Sequence, residues 1–320
     1  MGSTQNGPSI QRTAEASAIL IDRAASASGL AIETRSVQVA VMATPTLTKT
    51  TIPGSLGPLF IDVRAAGRRE PAPAVIVLHG FKGFKDWGMF PAFAERLARA
   101  GFTAVSFNVS GSGVDDDGRS ATPDRFGHNT FMAEQRDLDA VLAALDGGQL
   151  GVVRPSSVGI VGHSRGGGMA VLWAASRPRI SALVTWAGIA TVRRWSAAQC
   201  HAWREAGRLD IVNVRTQEVL PMYLEILDEI EALGDSALDI EAAAAQVSVP
   251  WLLIHGSADE AVPLAEAKRL EAAARPGIVE PLVIDGAGHT FGAVHPLSGV
   301  PAHLQQVFDA SIKLLAKALA

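Results

Sequence analysis

Cysteine occurs once in these 320 residues, at Cys200. One thiol cannot build an internal disulfide framework or a cysteine-based zinc cluster. An excess of either charge is also missing. Lys and Arg number 28 and Asp and Glu 32, a formal net charge of −4. So even a balance argues against a nucleic-acid binder or a polybasic membrane anchor. No stretch reaches the ~18 uninterrupted apolar residues of a membrane helix. Residues Met1 to Arg12 are polar, with no Lys or Arg before Arg12, and the apolar run Ala18 to Ile21 is shorter than a signal-peptide core. The expectation is a soluble, cytoplasmic chain without an export signal or membrane span. No G-x-G-x-x-G or P-loop follows a strand-like run, so no nucleotide cofactor is expected, nor any other cofactor or metal. Asp115-Asp116-Asp117 lacks the alternate spacing of a calcium loop and reads as a solvated loop.

Apolar residues are plentiful, at 48% against 19% charged, which suffices for a sizeable core. The first 35 residues are rich in Ala, Ser and Thr and read as a loosely attached arm. Alternating apolar residues at Val37, Val39 and Val41, and at Leu59, Ile61 and Val63, predict antiparallel strands around Pro53-Gly54 and Gly57-Pro58. From Ala74 onward, continuous apolar runs alternate with helical spacing. Strands are predicted at 74–78, 103–107, 158–161, 180–186, 250–254 and 279–284. Helices are predicted at 90–100, 131–145, 166–176, 263–274 and 301–319. Such alternation implies an α/β fold with a mostly parallel sheet and helices on both faces. The core is assigned to 36–190 and 247–320. Residues 191–246 interrupt the rhythm and read as a cap or lid insert, expected to be helical. Its charges are segregated, with Arg193, Arg194, Arg204, Arg208 and Arg215 early and Glu218 to Glu241 acidic later. This predicts halves that attract each other; an arginine that selects an anionic substrate is the sharper alternative.

Gly162-His163-Ser164-Arg165-Gly166 matches G-x-S-x-G between a predicted strand and a predicted helix. There a serine stands on a strained turn, clear of the backbone, over a helix N-terminus that favours developing negative charge. A serine hydroxyl needs a base, and acid and histidine should follow it in the chain. Asp259 follows one late strand and His289 follows the next, within Gly286-Ala287-Gly288-His289-Thr290-Phe291. The expected roles are Ser164 nucleophile, His289 base and then acid, and Asp259 the group that orients the imidazole. Glu260, Asp285 and His295 are weaker competitors. His163 and His255 are expected to pack, and His79 to brace its loop. His128, His201 and His303 belong to no motif. An oxyanion needs two backbone N–H donors, expected from Arg165 and from Phe81 in Leu78-His79-Gly80-Phe81. If the insert roofs the site, Trp195, Trp203, Met222, Tyr223 and Leu227 are the candidate substrate-pocket residues.

These motifs, with His255-Gly256 and Asp259 to Pro263, resemble the α/β-hydrolase superfamily over about residues 58–320. Within it the chain is most similar to dienelactone-hydrolase, prolyl-oligopeptidase-like and feruloyl (cinnamoyl) esterase relatives. It has Ser164 where dienelactone hydrolases use cysteine, and it lacks room for a propeller. The resemblance implies a serine carboxylic-ester hydrolase acting through an acyl-enzyme on small or aromatic esters, with a small-molecule ester as its partner. A peptidase or amidase with the same triad, or an inactive binding protein on the scaffold, are the alternatives.

Overall fold

The run Ala74–Leu78 has no polar side chain on either face, and both faces are covered. The computed structural model describes residues 44–66, 71–213 and 217–320. The proposed arm and the Val37–Val41 strand lie outside them. In chain order come β1 (Thr46–Pro53), β2 (Pro58–Ala65), β3 (Ala74–Leu78), α1 (Met89–Arg99), β4 (Thr103–Phe107), α2 (Pro123–Gly127) and α3 (Phe131–Asp146). Then follow β5 (Val158–His163), α4 (Arg165–Ser176), β6 (Ile180–Trp186), α5 (Ala197–Ala206), β7 (Leu209–Val212), β8 (Val219–Met222), α6 (Glu225–Leu233) and α7 (Ile240–Ala244). The chain continues with β9 (Trp251–Gly256), α8 (Leu264–Ala273), β10 (Val279–Ile284) and α9 (Ala302–Ala318).

Among the described residues, eight strands form one sheet in the order β1-β2-β4-β3-β5-β6-β9-β10. Of its pairings among them, only β1–β2 and β2–β4 are antiparallel. From β4 to β10 the neighbours are parallel. Successive residues of a strand face opposite sides. Ile76 and Leu78 therefore pack with α3, α4 and the insert, whereas Val75 and Val77 pack with α1 and α9. On the latter side Phe93 meets the Trp186 ring edge-on at 4.6 Å and Phe308 at 5.1 Å.

β1 differs from expectation. It is an edge strand with every residue exposed or half-buried, so its Thr-rich sequence carries no apolar alternation. It pairs along its whole length with β2, from Thr46 opposite Ala65 to Pro53 opposite Pro58. Proline is tolerated there because an edge needs only half its donors. The segment between β6 and β9 also departs from expectation, since it contains the antiparallel hairpin β7–β8 as well as helices. The hairpin's exposed Val212 and Val219 and half-buried Ile211 do not produce a clear period of two. Its charge segregation does what the sequence implied. Arg193 pairs with Asp235 at 2.8 Å, and Arg204 with Asp228 at 2.8 Å and Glu231 at 2.7 Å.

Candidate active site

β5 ends at His163 and α4 begins at Arg165, leaving Ser164 alone in the turn with φ 57° and ψ −122°. A non-glycine residue there is strained, and the surrounding backbone must hold it. The two flanking glycines make the turn possible. A Cβ at Gly162 would lie 2.2 Å from the Gly166 carbonyl oxygen, and one at Gly166 would lie 2.4 Å from that of His79. Ser164 N–H donates to the Trp186 carbonyl at 2.8 Å, tying the turn to the end of β6.

β9 and β10 end beside this turn. Asp259 lies in the loop after β9 with its side chain fully buried. Its Oδ1 accepts N–H bonds from Ala261 and Val262, each 2.9 Å. Its Oδ2 lies 2.8 Å from His289 Nδ1 and 3.5 Å from His255 Nε2. Burial works to raise the Asp259 pKa. The hydrogen bonds from His289 and Val262, with the charges of His289 and His255, outweigh it and hold the carboxyl below the usual range. A carboxylate on Nδ1 puts the Nδ1 proton on that side of the ring, so Nε2 is free to accept. His289 Nε2 stands 2.9 Å from Ser164 Oγ. Serine, imidazole and carboxylate therefore form one continuous hydrogen-bonded chain with the acceptor nitrogen facing the hydroxyl. That arrangement can take a proton from Oγ as it attacks and return it to a leaving group.

The competing acids and bases are accounted for elsewhere. Glu260 is exposed. Asp285 accepts from Ser257 Oγ at 3.0 Å. His295 Nδ1 accepts the Gly88 N–H at 3.0 Å. His255 is buried and donates from Nε2 to the Val262 carbonyl at 2.7 Å. His128 contacts Glu225, and His201 contacts Glu205. Asp116 is no merely solvated acid. It lies 2.9 Å from Lys49 Nζ and 3.1 Å from the buried Lys85 Nζ, which also meets Asp62 at 2.8 Å. No group of three or more His, Cys, Asp or Glu among the described residues is placed to hold a metal. No helix among them is long and apolar enough to cross a membrane.

The two expected oxyanion donors are available. Arg165 N–H is at the first position of α4, where a helix offers no partner, and Phe81 N–H meets no acceptor among the described residues. His79 shapes the Phe81 loop. Val109 N–H donates to its Nε2 at 3.2 Å, so Nδ1 carries the proton and donates to the Gly80 carbonyl at 2.9 Å. Burial, with some repulsion from Arg165, lowers the His79 pKa to about 4 despite the Gly80 bond.

A cavity of about 430 Å³ opens beside Ser164 and His289. Phe131, Ile189, Trp195, Ile211 and Val262 supply its apolar wall, and Lys82, Arg165 and Arg194 its charges. A smaller cleft of about 190 Å³ shares Phe81, Ser164 and His289 but runs toward Trp87, Phe90 and Thr290. Of the five pocket candidates only Trp195 lines the large cavity. Trp203 is buried inside the insert and donates to the Met222 carbonyl at 2.9 Å, and Met222 is buried with it. Tyr223 turns its hydroxyl to Asp124 at 2.7 Å. Leu227 lines a neighbouring void beyond Trp195. Trp203, Met222 and Leu227 belong to the apolar cluster that joins the insert to the core, which is the ordinary fate of large apolar side chains. Phe131, Ile189 and Ile211 were missed because they look like any other core residue in sequence. Of the insert arginines, Arg194 faces the cavity but is already bound to Glu266 and to the Ala261 carbonyl at 3.1 Å. Arg165 sits 4.1 Å above the Phe131 ring, with Nε 3.1 Å from the buried Glu134.

Comparison with known proteins agrees with this architecture. The family described as alpha/beta hydrolase fold matches residues 73–206. A 2,6-dihydropseudooxynicotine hydrolase from Paenarthrobacter nicotinovorans is 24% identical over 211 residues. That match covers 65% of this chain and 49% of the relative, so this chain spans about half that protein's length. Est1E from Butyrivibrio proteoclasticus superposes with a TM-score of 0.61 at 18% identity, covering 84% of this chain and 98% of Est1E. A dienelactone hydrolase from Anabaena variabilis gives a TM-score of 0.56 at 17% identity, covering 87% and 100%. Strand order, the strained Ser164 turn between β5 and α4, and these likenesses lead to one conclusion about architecture: this chain has the α/β-hydrolase fold.

Proposed function

We propose that the protein is a serine hydrolase that cleaves carboxylic esters through an acyl-enzyme. The observation that carries this reading is the continuous contact from Ser164 Oγ through His289 to Asp259, at 2.9 Å and 2.8 Å. Ser164 Oγ attacks the ester carbonyl while His289 Nε2 takes its proton, and Asp259 stabilises the resulting imidazolium. The carbonyl oxygen, now anionic, is held by Arg165 and Phe81 N–H. His289 then protonates the leaving alkoxide, and water releases the acid by the reverse sequence. Est1E has been solved with ferulic acid bound, which favours aromatic esters as one class to assay here.

The two clefts support a substrate with one large, mostly apolar substituent and one small one on either side of the ester. Residues 191–246 act in this reading as a partial lid, contributing Arg194, Trp195 and Ile211 to the large cleft. The deciding experiment pairs p-nitrophenyl butyrate hydrolysis with fluorophosphonate labelling for wild type and Ser164→Ala. Several orders of magnitude should be lost from kcat, together with all labelling. A Ser164→Ala protein with a tenth of wild-type kcat would show that another group attacks. Feruloyl esters and aminoacyl anilides in the same panel separate an esterase from an amidase.

A further inference from the structure

His163 ends β5 immediately before Ser164 and is almost fully buried. Nothing in the proposed chemistry uses it. Yet its Nε2 lies 2.9 Å from the backbone carbonyl oxygen of His289. A carbonyl can only accept, so Nε2 carries the proton and donates. No other donor among the described residues reaches that carbonyl. The two imidazoles lie 4.7 Å apart and tilted by 48°, while Phe90 presses its edge on His163 from 6.2 Å.

These contacts close a small ring. Ser164 Oγ meets His289 Nε2 at 2.9 Å, the His289 carbonyl meets His163 Nε2 at 2.9 Å, and His163 is bonded to Ser164. Asp259 orients the imidazole from its far side but makes no hydrogen bond to the backbone that carries it. That loop, after β10, is anchored by Ala258 N–H to the Ala287 carbonyl at 3.0 Å and by Phe291 N–H to that of Gly288 at 3.0 Å. Neither contact refers to the nucleophile.

We infer that His163 is a positioning residue: its Nε2–H, by holding the His289 carbonyl, sets the base at bonding distance from the serine next to it in the chain. The inference rests on the Ser164–His289–Asp259 reading and adds what holds the first two together. Burial, with repulsion from His289, lowers the His163 pKa to about 3, so the ring stays neutral at working pH and adds no competing charge beside the base. Small displacements of reacting groups cost up to about 100-fold in rate, which is the scale at stake.

The test compares His163→Gln with His163→Met. The Gln amide nitrogen is as many bonds from Cβ as His Nε2 and can donate to the same carbonyl; Met fills similar space without a donor. His163→Met should lose about 10- to 100-fold in kcat on p-nitrophenyl butyrate with KM within about twofold, and Ser164 labelling should slow in proportion. His163→Gln should recover to within about threefold of wild type on the same scale. Equal activity of His163→Met and wild type, or equal losses in both variants, would overturn the inference. If His163→Met does not fold, long-range proton–nitrogen spectra of the wild type decide instead. A His163 ring protonated on Nδ1 rather than Nε2 removes the donor and the inference with it. An active Ser164→Ala defeats the underlying reading. An inactive Ser164→Ala beside a fully active His163→Met defeats this inference alone.

Discussion

Asp259→Asn changes one atom and should be the most informative substitution in the site. Two backbone donors, Ala261 and Val262 N–H, point at Oδ1 from 2.9 Å each. An asparagine must therefore keep its carbonyl oxygen there and turn its NH2 toward His289 Nδ1, where Oδ2 stood at 2.8 Å. Two N–H groups cannot face each other, so the ring moves its proton from Nδ1 to Nε2. The nitrogen 2.9 Å from Ser164 Oγ then carries a hydrogen and cannot accept one. Flipping the amide would restore the tautomer but would set its NH2 against two N–H donors, one buried and one partly buried, at about 1–3 kcal/mol each. In a Ser-His-Asp triad, the arrangement proposed here, losing the correct tautomer costs about 10⁴-fold in kcat, or about 5.5 kcal/mol of barrier. The flip lies within that range, so the expected loss is about 10³- to 10⁴-fold. Steady-state hydrolysis of p-nitrophenyl butyrate measures it, with thermal unfolding alongside to confirm a folded variant. A folded Asp259→Asn enzyme with more than a tenth of wild-type kcat would refute the argument, because the amide would then be tolerated on Nδ1.

Other consequences concern stability and the large cleft. Phe93→Ala removes a fully buried ring packed on Trp186 and Phe308 and should destabilise by about 3–5 kcal/mol in urea titrations; a loss under about 1 kcal/mol would mean the wall collapses into the gap. His79 and His163 have pKa values lowered to about 4 and about 3 in the folded chain. The unfolded chain takes up those protons first, so stability is complete above about pH 6.5 and falls as pH drops toward 4 and 3. At about 1.4 kcal/mol per pKa unit the two ceilings are about 3 and about 5 kcal/mol. His163→Gln should flatten the pH dependence of the urea midpoint between pH 6.5 and 4, and an unchanged slope would show that its ring titrates normally. Ile211→Trp narrows the large cleft from the insert side and should lower kcat/KM for bulky aromatic esters at least tenfold more than for acetates; equal losses on both would mean the bulky group binds elsewhere.

Much of this molecule was legible because its signals are local. A run as short, continuous and β-branched as Ala74–Leu78, placed before a helical pattern, reads as a strand with both faces covered, and β3 is such a strand. Gly162 and Gly166 flank Ser164 because the turn leaves no room for a Cβ, and that requirement is visible in five consecutive letters. Asp259 and His289 could be chosen because the fold's connectivity puts successive strand ends at one edge of the sheet. The edge strand β1 escaped notice because an exposed strand need not alternate, and the hairpin β7–β8 because four-residue strands carry too little period. Pocket residues were the least legible of all. Trp195 and Trp203 are alike in sequence and meet edge to face at 5.2 Å, yet one lines the cleft and the other is buried behind it. Which side of an apolar side chain meets solvent is decided by how the insert folds back on the sheet, across separations no local pattern records. The same is true of His163, whose carbonyl partner is 126 residues away. Residue type and spacing determined what chemistry this chain can attempt; tertiary packing alone decided which groups stand close enough to carry it out.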